Sequence, residues 1–126
     1  MNMIANVVGV ELNEGDQLVA YMGAVKCGVA EADEDGRFFL SIGPGEIGNV
    51  TFAVERDGDI VAVAPSTVEY AADAVLGSYN EPTAINFIAT DELNGSGWYS
   101  VQGIKLNQRP EQPGVYILDG KKVIIK

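Results

Sequence analysis

The sequence contains no histidine and only one cysteine among its 126 residues. Histidine is the usual general base for a serine or cysteine nucleophile and the most common transition-metal ligand, so its absence argues against both kinds of site. A single cysteine cannot form an internal disulfide. Cys27 lies within an alternating apolar segment, which favours a small buried thiol over the alternative of a reactive or intermolecular one. We expect no cofactor and no enzymatic activity.

Long apolar runs and basic patches are also missing. No apolar run approaches the roughly 18–20 residues that a membrane-spanning helix requires, and the N-terminus lacks the positive flank and apolar core of a signal peptide. Residues 1–92 carry sixteen acidic and three basic side chains, whereas residues 93–126 carry two acidic and five basic ones. The acidic part would repel a phosphate backbone. The sequence therefore predicts neither a transmembrane segment nor a nucleic-acid-binding surface.

Apolar residues make up 47% of the chain, which is enough to bury a core. In residues 1–88, short apolar or alternating segments are separated by turn residues at intervals of about 8–15 positions, a spacing typical of an all-β sandwich. The turns are rich in glycine, which tolerates positive φ angles, and in aspartate, which bonds its own backbone; they span residues 13–16, 33–36, 43–45 and 57–59. The predicted strands are residues 4–12, 17–22, 25–31, 37–42, 50–56, 60–64, 67–70 and 83–88.

Alternation within these strands predicts which side chains point into one shared core. The predicted core residues are Leu18, Ala20, Phe38 or Phe39, Leu40, Val50, Phe52 and Val54. Since Phe38 and Phe39 are adjacent, a strand places one ring on each face. Helix signals are nearly absent. Only residues 70–77 are predicted to hold one helical turn, which Gly77 would end.

The last thirty residues form a distinct, basic segment. Residues 98–103 alternate between two faces, and residues 115–118 and 122–125 flank Asp119-Gly120, a strong hairpin signal. This pattern predicts a short strand followed by a β-hairpin. The strings W-Y-S-V-Q-G-I-K-L and G-V-Y-I-L-D-G-K-K-V-I-I-K, joined by a proline-containing spacer, resemble the C-terminal sorting-type domain of proteins secreted by the Por (type IX) system of Gram-negative bacteria. The matching residues are Trp98, Tyr99, Gly103, Lys105, Leu106, Pro113, Gly114, Tyr116, Gly120, Lys121, Lys122, Val123 and Lys126.

The resemblance of this tail implies export and placement outside the cell or on the outer-membrane surface. Since an exported protein needs a signal peptide, we expect that signal to lie upstream, in a longer protein. The polar, glycine-rich stretch 91–97 suits a linker, so we predict a β-sandwich domain at residues 1–92 and a sorting-type β tail at residues 93–126. An isolated hairpin is marginal in water, so either Tyr116 and Leu118 or Val115 and Ile117 must pack on the Trp98 strand, the sandwich or a second copy of the chain.

The body resembles the small immunoglobulin-like β-sandwich modules that precede sorting tails in bacterial surface proteins. The resemblance rests on five segments: G-D-x-L-x-A-Y-x-G from Gly15, C-G-V-A from Cys27, D-G-x-F-F-L from Asp35, V-T-F from Val50 and D-A-x-x-G-S-x-x-x-P from Asp73. It implies an immunoglobulin-like antiparallel sandwich and a surface location. It implies no particular ligand.

Two groups of residues are candidates for ligand binding. Glu31, Asp33 and Asp35 match the first half of a calcium loop, but Ile42 stands where the closing bidentate glutamate belongs. The favoured interpretation is an acidic turn, and we expect Ca²⁺ to bind weakly or not at all.

Aromatic side chains form the second group. Trp98, Tyr99 and Tyr116, with Tyr79 as a further member, are candidates for a flat surface on which sugars stack. The favoured alternative is that the tail rings form the small core of a three-strand module.

These patterns predict a non-catalytic, secreted or surface-exposed β-sandwich module that serves as a spacer, adhesion or interaction domain of a longer protein. Its partner is expected to be a protein or carbohydrate at the cell surface, with self-association through the β tail as a further possibility. The alternative is a carbohydrate-binding module that accompanies a glycoside-degrading enzyme. Exposed, coplanar tryptophan and tyrosine rings would favour that alternative, and buried rings would favour the first function.

Overall fold

The computed structural model of the chain describes residues 1–43, 48–90, 97–119 and 121–125. The elements within those residues are β-strands, as the sequence predicts. In chain order they are β1 (Asn2–Val8), β2 (Gln17–Met22), β3 (Val25–Glu31), β4 (Phe38–Ser41), β5 (Asn49–Arg56), β6 (Asp59–Val63), β7 (Val68–Glu69), β8 (Val75–Leu76), β9 (Thr83–Asn86), β10 (Ile88–Ala89), β11 (Trp98–Ser100), β12 (Lys105–Leu106), β13 (Gly114–Leu118) and β14 (Lys121–Ile125).

The strands form three sheets. The front sheet has the order β4-β1-β8, with β9 also paired to β1. The central sheet has the order β10-β6-β5-β2-β3, with β7 paired to the start of β5. The tail sheet has the order β12-β11-β13-β14. The all-β sandwich is therefore confirmed, with the tail strands forming a further layer.

The first core fills the space between the front and central sheets. All of the predicted core positions are buried there, and Phe38 points inward with 1% of its surface exposed while Phe39 points outward with 50% exposed. Alternation along β4 explains this division, since successive side chains in a strand face opposite sides. The residues of this core that the sequence analysis predicts are Leu18, Ala20, Phe38, Leu40, Val50, Phe52 and Val54.

A second core lies between the other face of the central sheet and the tail sheet. From the central sheet it takes Val19, Tyr21, Ala53, Ile60 and Val63, and from the tail segment it takes Tyr99, Val101, Val115 and Ile117. Strands β2 and β5 are thus buried on both faces, which explains why they are apolar runs rather than alternating ones. Of the two hairpin faces considered from the sequence, the tail uses the one with Val115 and Ile117.

Two hairpins form where the sequence places an aspartate-glycine pair between apolar runs. Arg56 pairs with Asp59, so Asp57 and Gly58 form a two-residue loop with φ angles of 54° and 86°. Positive φ at both positions is typical of the type I′ hairpin turn, which matches the twist of the flanking strands. In the tail, Leu118 pairs with Lys121 and Asp119 has a φ of 51°. The predicted terminal hairpin is therefore confirmed.

The helical turn predicted for residues 70–77 is wrong. The Ala74 amide donates a 3.0 Å hydrogen bond to the Ala71 carbonyl, which closes a single turn, and the chain then enters β8. This short strand pairs in parallel with β1, and parallel pairing also joins β1 to β9, so the front sheet is mixed. Gly77 has a φ of 74°, and a Cβ there would lie 2.4 Å from the Ile4 carbonyl oxygen.

Two predicted strands differ most from their predicted limits, whereas the others predicted in residues 1–88 agree or differ by one residue at one or both ends. The first ends at Val8, because Gly9 adopts a φ of 97° and lies against the Phe87 backbone. Predicted strand 83–88 is divided at Phe87: β9 belongs to the front sheet and β10 to the central sheet. Part of the predicted turn 43–45 and most of the predicted linker 91–97, including the boundary between residues 92 and 93, lie outside the described residues.

Candidate functional site

The outer face of the front sheet carries no charged side chain along its strands. The inward positions of these strands, such as Met3, Ala5, Leu40 and Ile85, are buried in the first core, so the alternate positions face outward. Register aligns Ser41 and Val75 with Asn2, and Phe39 with Ile4. We call this surface the neutral face; its outward residues are Asn2, Ile4, Asn6, Val8, Phe39, Ser41, Val75, Ala84 and Asn86.

Two aromatic rings stack on this face. The centroids of Phe39 and Tyr79 are 6.2 Å apart and their planes are inclined by 24°. Half of Phe39 and 43% of Tyr79 remain exposed. Beside Phe39, a shallow groove of about 280 Å³ runs along Ile4 and Val75, with Asn2 and Ser41 at its polar positions. The site thus combines an aromatic pair with amide and hydroxyl groups.

The loop that carries Tyr79 is fixed to the turn before β4. The Tyr79 hydroxyl donates to Asp35 Oδ2, and the Tyr79 carbonyl accepts a 3.1 Å hydrogen bond from Arg37 Nε. The Arg37 guanidinium also lies 5.7 Å from the centroid of the Tyr79 ring, within range of a cation–π contact. These contacts hold the Tyr79 ring beside Phe39. The residues that make them, Asp35 and Arg37, are more than forty positions away from Tyr79 in the sequence.

Two of the three acidic residues considered as calcium ligands, Asp33 and Asp35, accept hydrogen bonds that fix the same turn. Asp33 Oδ1 accepts hydrogen bonds of 2.9 Å from the amides of Asp35 and Arg37, and Asp35 Oδ2 accepts the Tyr79 hydroxyl. Glu31 lies at the end of β3, opposite Gln17 of β2. Ile42, at the position of the missing calcium ligand, is buried in the first core. In the described part of the chain, no three acidic or cysteine side chains are grouped as metal ligands.

A buried carboxylate lies between the central sheet and the tail sheet. Glu55 is 3% exposed, and its Oε2 accepts a hydrogen bond from the buried hydroxyl of Tyr21. Its Oε1 lies 3.2 Å from Lys122 Nζ and 3.4 Å from Lys26 Nζ. Burial, together with the neighbouring carboxylate, raises the pKa of Tyr21, so the hydroxyl keeps its proton and remains a donor. This cluster links the tail to the body.

A second buried carboxylate, Asp16, lies immediately before β2. Asp16 accepts hydrogen bonds of 2.8 Å from Arg56 Nε and Nη2, and a third of 2.8 Å from the Asn13 amide. The Arg56 contacts hold the pKa of Asp16 below its ordinary value. Two parallel hydrogen bonds between a guanidinium and a carboxylate fix the relative orientation of the two groups as well as balancing their charges. Asp16 and Glu55 therefore act as structural anions.

Two of the three tail rings, Trp98 and Tyr116, lie on one face of the tail sheet, and the third, Tyr99, lies on the other. Tyr99 is 5% exposed and belongs to the second core, whereas Trp98, its neighbour in β11, is on the opposite face and half-buried. Tyr116 pairs with Ser100 in the register, so it shares the outer face of the tail sheet with Trp98. Its hydroxyl donates to the Gln112 carbonyl at 2.9 Å. The aromatic pair on the neutral face comprises Tyr79 and Phe39 instead.

The other tail-motif residues have structural roles or exposed positions. Gly103, with a φ of 82°, closes the turn after β11 through a hydrogen bond from its amide to the Ser100 carbonyl. Gly114 lies against the Tyr116 ring, where a Cβ would be 3.2 Å from ring atoms. Lys105 and Lys121 are exposed. Gly120 and Lys126 lie outside the described residues.

Cys27 is half-buried and packs against the first core. Its thiol donates a 3.4 Å hydrogen bond to the Ala20 carbonyl. Burial raises the pKa of this thiol, which lowers the fraction of the nucleophilic thiolate. The environment is that of a packed thiol.

Comparison with family models, with curated proteins and with solved structures gives no match. In the part of the chain that the structure describes, no helix has the length and apolar character needed to cross a membrane.

The sequence analysis did not identify Phe39, Arg37 or the asparagines as parts of one site. The signal that could have found Phe39 is the Phe38-Phe39 pair, because one ring of such a pair must face away from the core. The asparagines become neighbours only through the pairing of β1 with β4, β8 and β9.

Proposed function

We propose that this chain is a non-catalytic, surface-exposed β-sandwich module of a longer secreted protein, which binds a partner through the neutral face and carries a sorting-type tail. The observation that carries the binding role is the exposed Phe39–Tyr79 pair on a sheet face without charged strand residues. Large apolar rings are costly to leave in water, and contiguous exposed apolar surface commonly marks an interaction site. Hydrogen bonds between two loops hold this pair in place before any partner binds.

The state of the buried carboxylates supports a non-catalytic role. Both oxygens of Asp16 and both oxygens of Glu55 accept hydrogen bonds from side chains of the protein itself. A general acid or base must instead reach a substrate proton within hydrogen-bond distance. The carboxylates of Asp16 and Glu55 instead stabilise the packing of the strands that surround them.

The sorting role of the tail is supported by the residue pattern and by the exposure of its basic side chains. Lys105 and Lys121 belong to the pattern and are exposed, so a sorting machinery could contact them while the tail stays packed. Deleting the tail would test sorting poorly, because deletion uncovers the second core. Substitution of exposed lysines keeps every apolar side chain of that core, although it removes the contact of the Lys105 ammonium, which lies 5.9 Å from the centroid of the Tyr99 ring.

We expect the double variant Lys105→Ala/Lys121→Ala of the full-length protein to lose surface display in a Gram-negative host with type IX secretion. Antibody labelling of intact cells measures display, and circular dichroism of the purified module verifies that it remains folded. The matched control is Arg109→Ala, an exposed cation of the same segment that lies outside the motif. Display of the lysine variant at the level of the control would contradict the sorting role.

A further inference from the structure

We propose that the neutral face binds an uncharged glycan, with the rings of Phe39 and Tyr79 as the stacking surface and with Asn2 and Ser41 as hydrogen-bonding groups. This inference rests on the proposed function, because it names the class of partner that the face would recognise. It shares Tyr79 with the aromatic surface considered from the sequence, but it pairs that ring with Phe39 of the front sheet rather than with the tail rings.

The aromatic pair suits a sugar ring. One face of a pyranose presents C–H groups, and these pack against the negative face of an aromatic ring. Phe39 is half exposed, and the groove beside it continues along Ile4 and Val75. The outward residues of β1 extend from Asn2 to Val8, which is about 20 Å at the rise of a β-strand. The face is therefore long enough for a short oligosaccharide rather than a single sugar.

The charge distribution favours an uncharged ligand. The chain has eighteen acidic and eight basic residues, yet none occupies the nine outward strand positions of the neutral face. The charged neighbours Asp35 and Arg37 are engaged with Tyr79. Amide and hydroxyl side chains both donate and accept hydrogen bonds, which is what the hydroxyls of a neutral glycan require.

The sheet topology disfavours an added strand as the occupant of this face. Strand β1, which runs through the face, pairs with β4 on one side and with β8 and β9 on the other. Its backbone groups are therefore used within the sheet, and recognition depends on side chains. A peptide that binds by strand addition needs an open edge, and it would add beside an end strand such as β8 or β9 instead of occupying the face.

The test is a titration of the full chain with three neutral hexasaccharides, built from β-1,4-linked glucose, β-1,4-linked mannose and β-1,4-linked xylose, and with an acidic hexagalacturonate. Calorimetry measures the affinity. We expect binding of at least one neutral oligosaccharide and none of the acidic one. Phe39→Ala and Tyr79→Leu should each weaken that binding about tenfold or more, as expected for loss of a stacked ring.

The matched control is Val25→Ala, which truncates an exposed apolar side chain on β3 of the central sheet and should leave the affinity unchanged. The inference is overturned if the wild-type chain binds none of the neutral oligosaccharides, or if Phe39→Ala binds them as tightly as the control. A concentration-dependent dimer that Phe39→Ala dissociates would assign the face to a second copy and would equally overturn it. If glycan binding fails while surface display depends on the tail lysines, the ligand class is wrong and the proposed surface placement stands.

Discussion

Replacing Lys122 with methionine is expected to loosen the tail sheet from the central sheet. The Lys122 side chain is 17% exposed, and its ammonium is the nearer of the two cations on the buried carboxylate of Glu55. Removing one partner of a fully buried ion pair costs about 3–5 kcal/mol, because the remaining charge is left uncompensated. Since Lys26 still reaches Glu55 at 3.4 Å, we expect a loss of about 2–3 kcal/mol from the free energy of unfolding.

The matched variant is Lys26→Met, which removes a cation from the same carboxylate oxygen. The Lys26 side chain is 42% exposed. Water therefore screens its charge, and its attraction to the Glu55 carboxylate is weak. Exposed ion pairs contribute about 0–1 kcal/mol, and this variant should lose no more than that. The comparison separates the buried contact across the two sheets from the exposed contact within one sheet.

Urea denaturation measures both variants with two signals. Trp98, the chain's only tryptophan, lies on β11 and reports on the tail sheet by fluorescence, while far-UV circular dichroism reports on the strands of all three sheets. If the tail separates first in Lys122→Met, the fluorescence transition should occur at lower urea than the circular dichroism transition. Equal losses of stability in the two lysine variants would refute the reasoning, because the second core would then hold the tail without the ion pair.

Three further predictions concern the body. Phe52→Ala should lower the free energy of unfolding by about 3–5 kcal/mol, because it opens a cavity in the first core; a denaturation midpoint near that of the wild type would contradict this. The lowered pKa of Asp16 means that its pairing with Arg56 stabilises the fold fully above about pH 4, and that this stabilisation is lost as the pH falls through the lowered value. Asp16→Asn should therefore flatten the acid side of the stability curve, and a curve as steep as that of the wild type would count against the pairing. Gly77→Ala should be more destabilising than Gly36→Ala in the same measurement: the two φ angles are 74° and 78°, but only at Gly77 does backbone crowd the added Cβ. Equal losses would show that backbone strain alone decides the cost.

The strands that the sequence predicts best are those bounded by glycine turns. The limits of β2 and β3 agree with the prediction at both ends, because Gly15-Asp16 and Gly23 interrupt the apolar runs on either side. The terminal hairpin was predictable for the same reason, since two apolar runs flank Asp119-Gly120. The two-residue strand β8 was not. Its apolar residues fit a helical turn equally well, and only pairing with β1 decides between them.

The environment of Glu55 could not be predicted from its neighbours in sequence. Glu55 ends an apolar run and precedes Arg56 and Asp57, a pattern that is typical of a strand entering solvent. Its burial depends on the tail sheet, whose Lys122 follows it by 67 residues. The neutral face could not be predicted from local sequence either, because it depends on a contact between Arg37 and Tyr79, which are 42 residues apart. Alternation assigns a side chain to one face of a strand, but it does not fix the neighbour across the sheet.

The packing of the tail places a condition on the sorting role proposed for it. Tyr99, Val115 and Ile117 of the tail are buried against the central sheet, while Lys105 and Lys121 are exposed. The tail in turn covers Tyr21 and Ile60, which would otherwise leave an apolar surface around the carboxylate of Glu55. Each layer therefore supplies the apolar partner that the other needs, since a lone hairpin is marginal in water. A machinery that recognises the folded tail must do so through its outer face and exposed lysines, whereas one that requires Tyr99 must first separate the two sheets, against the ion pair of Lys122 and the second core.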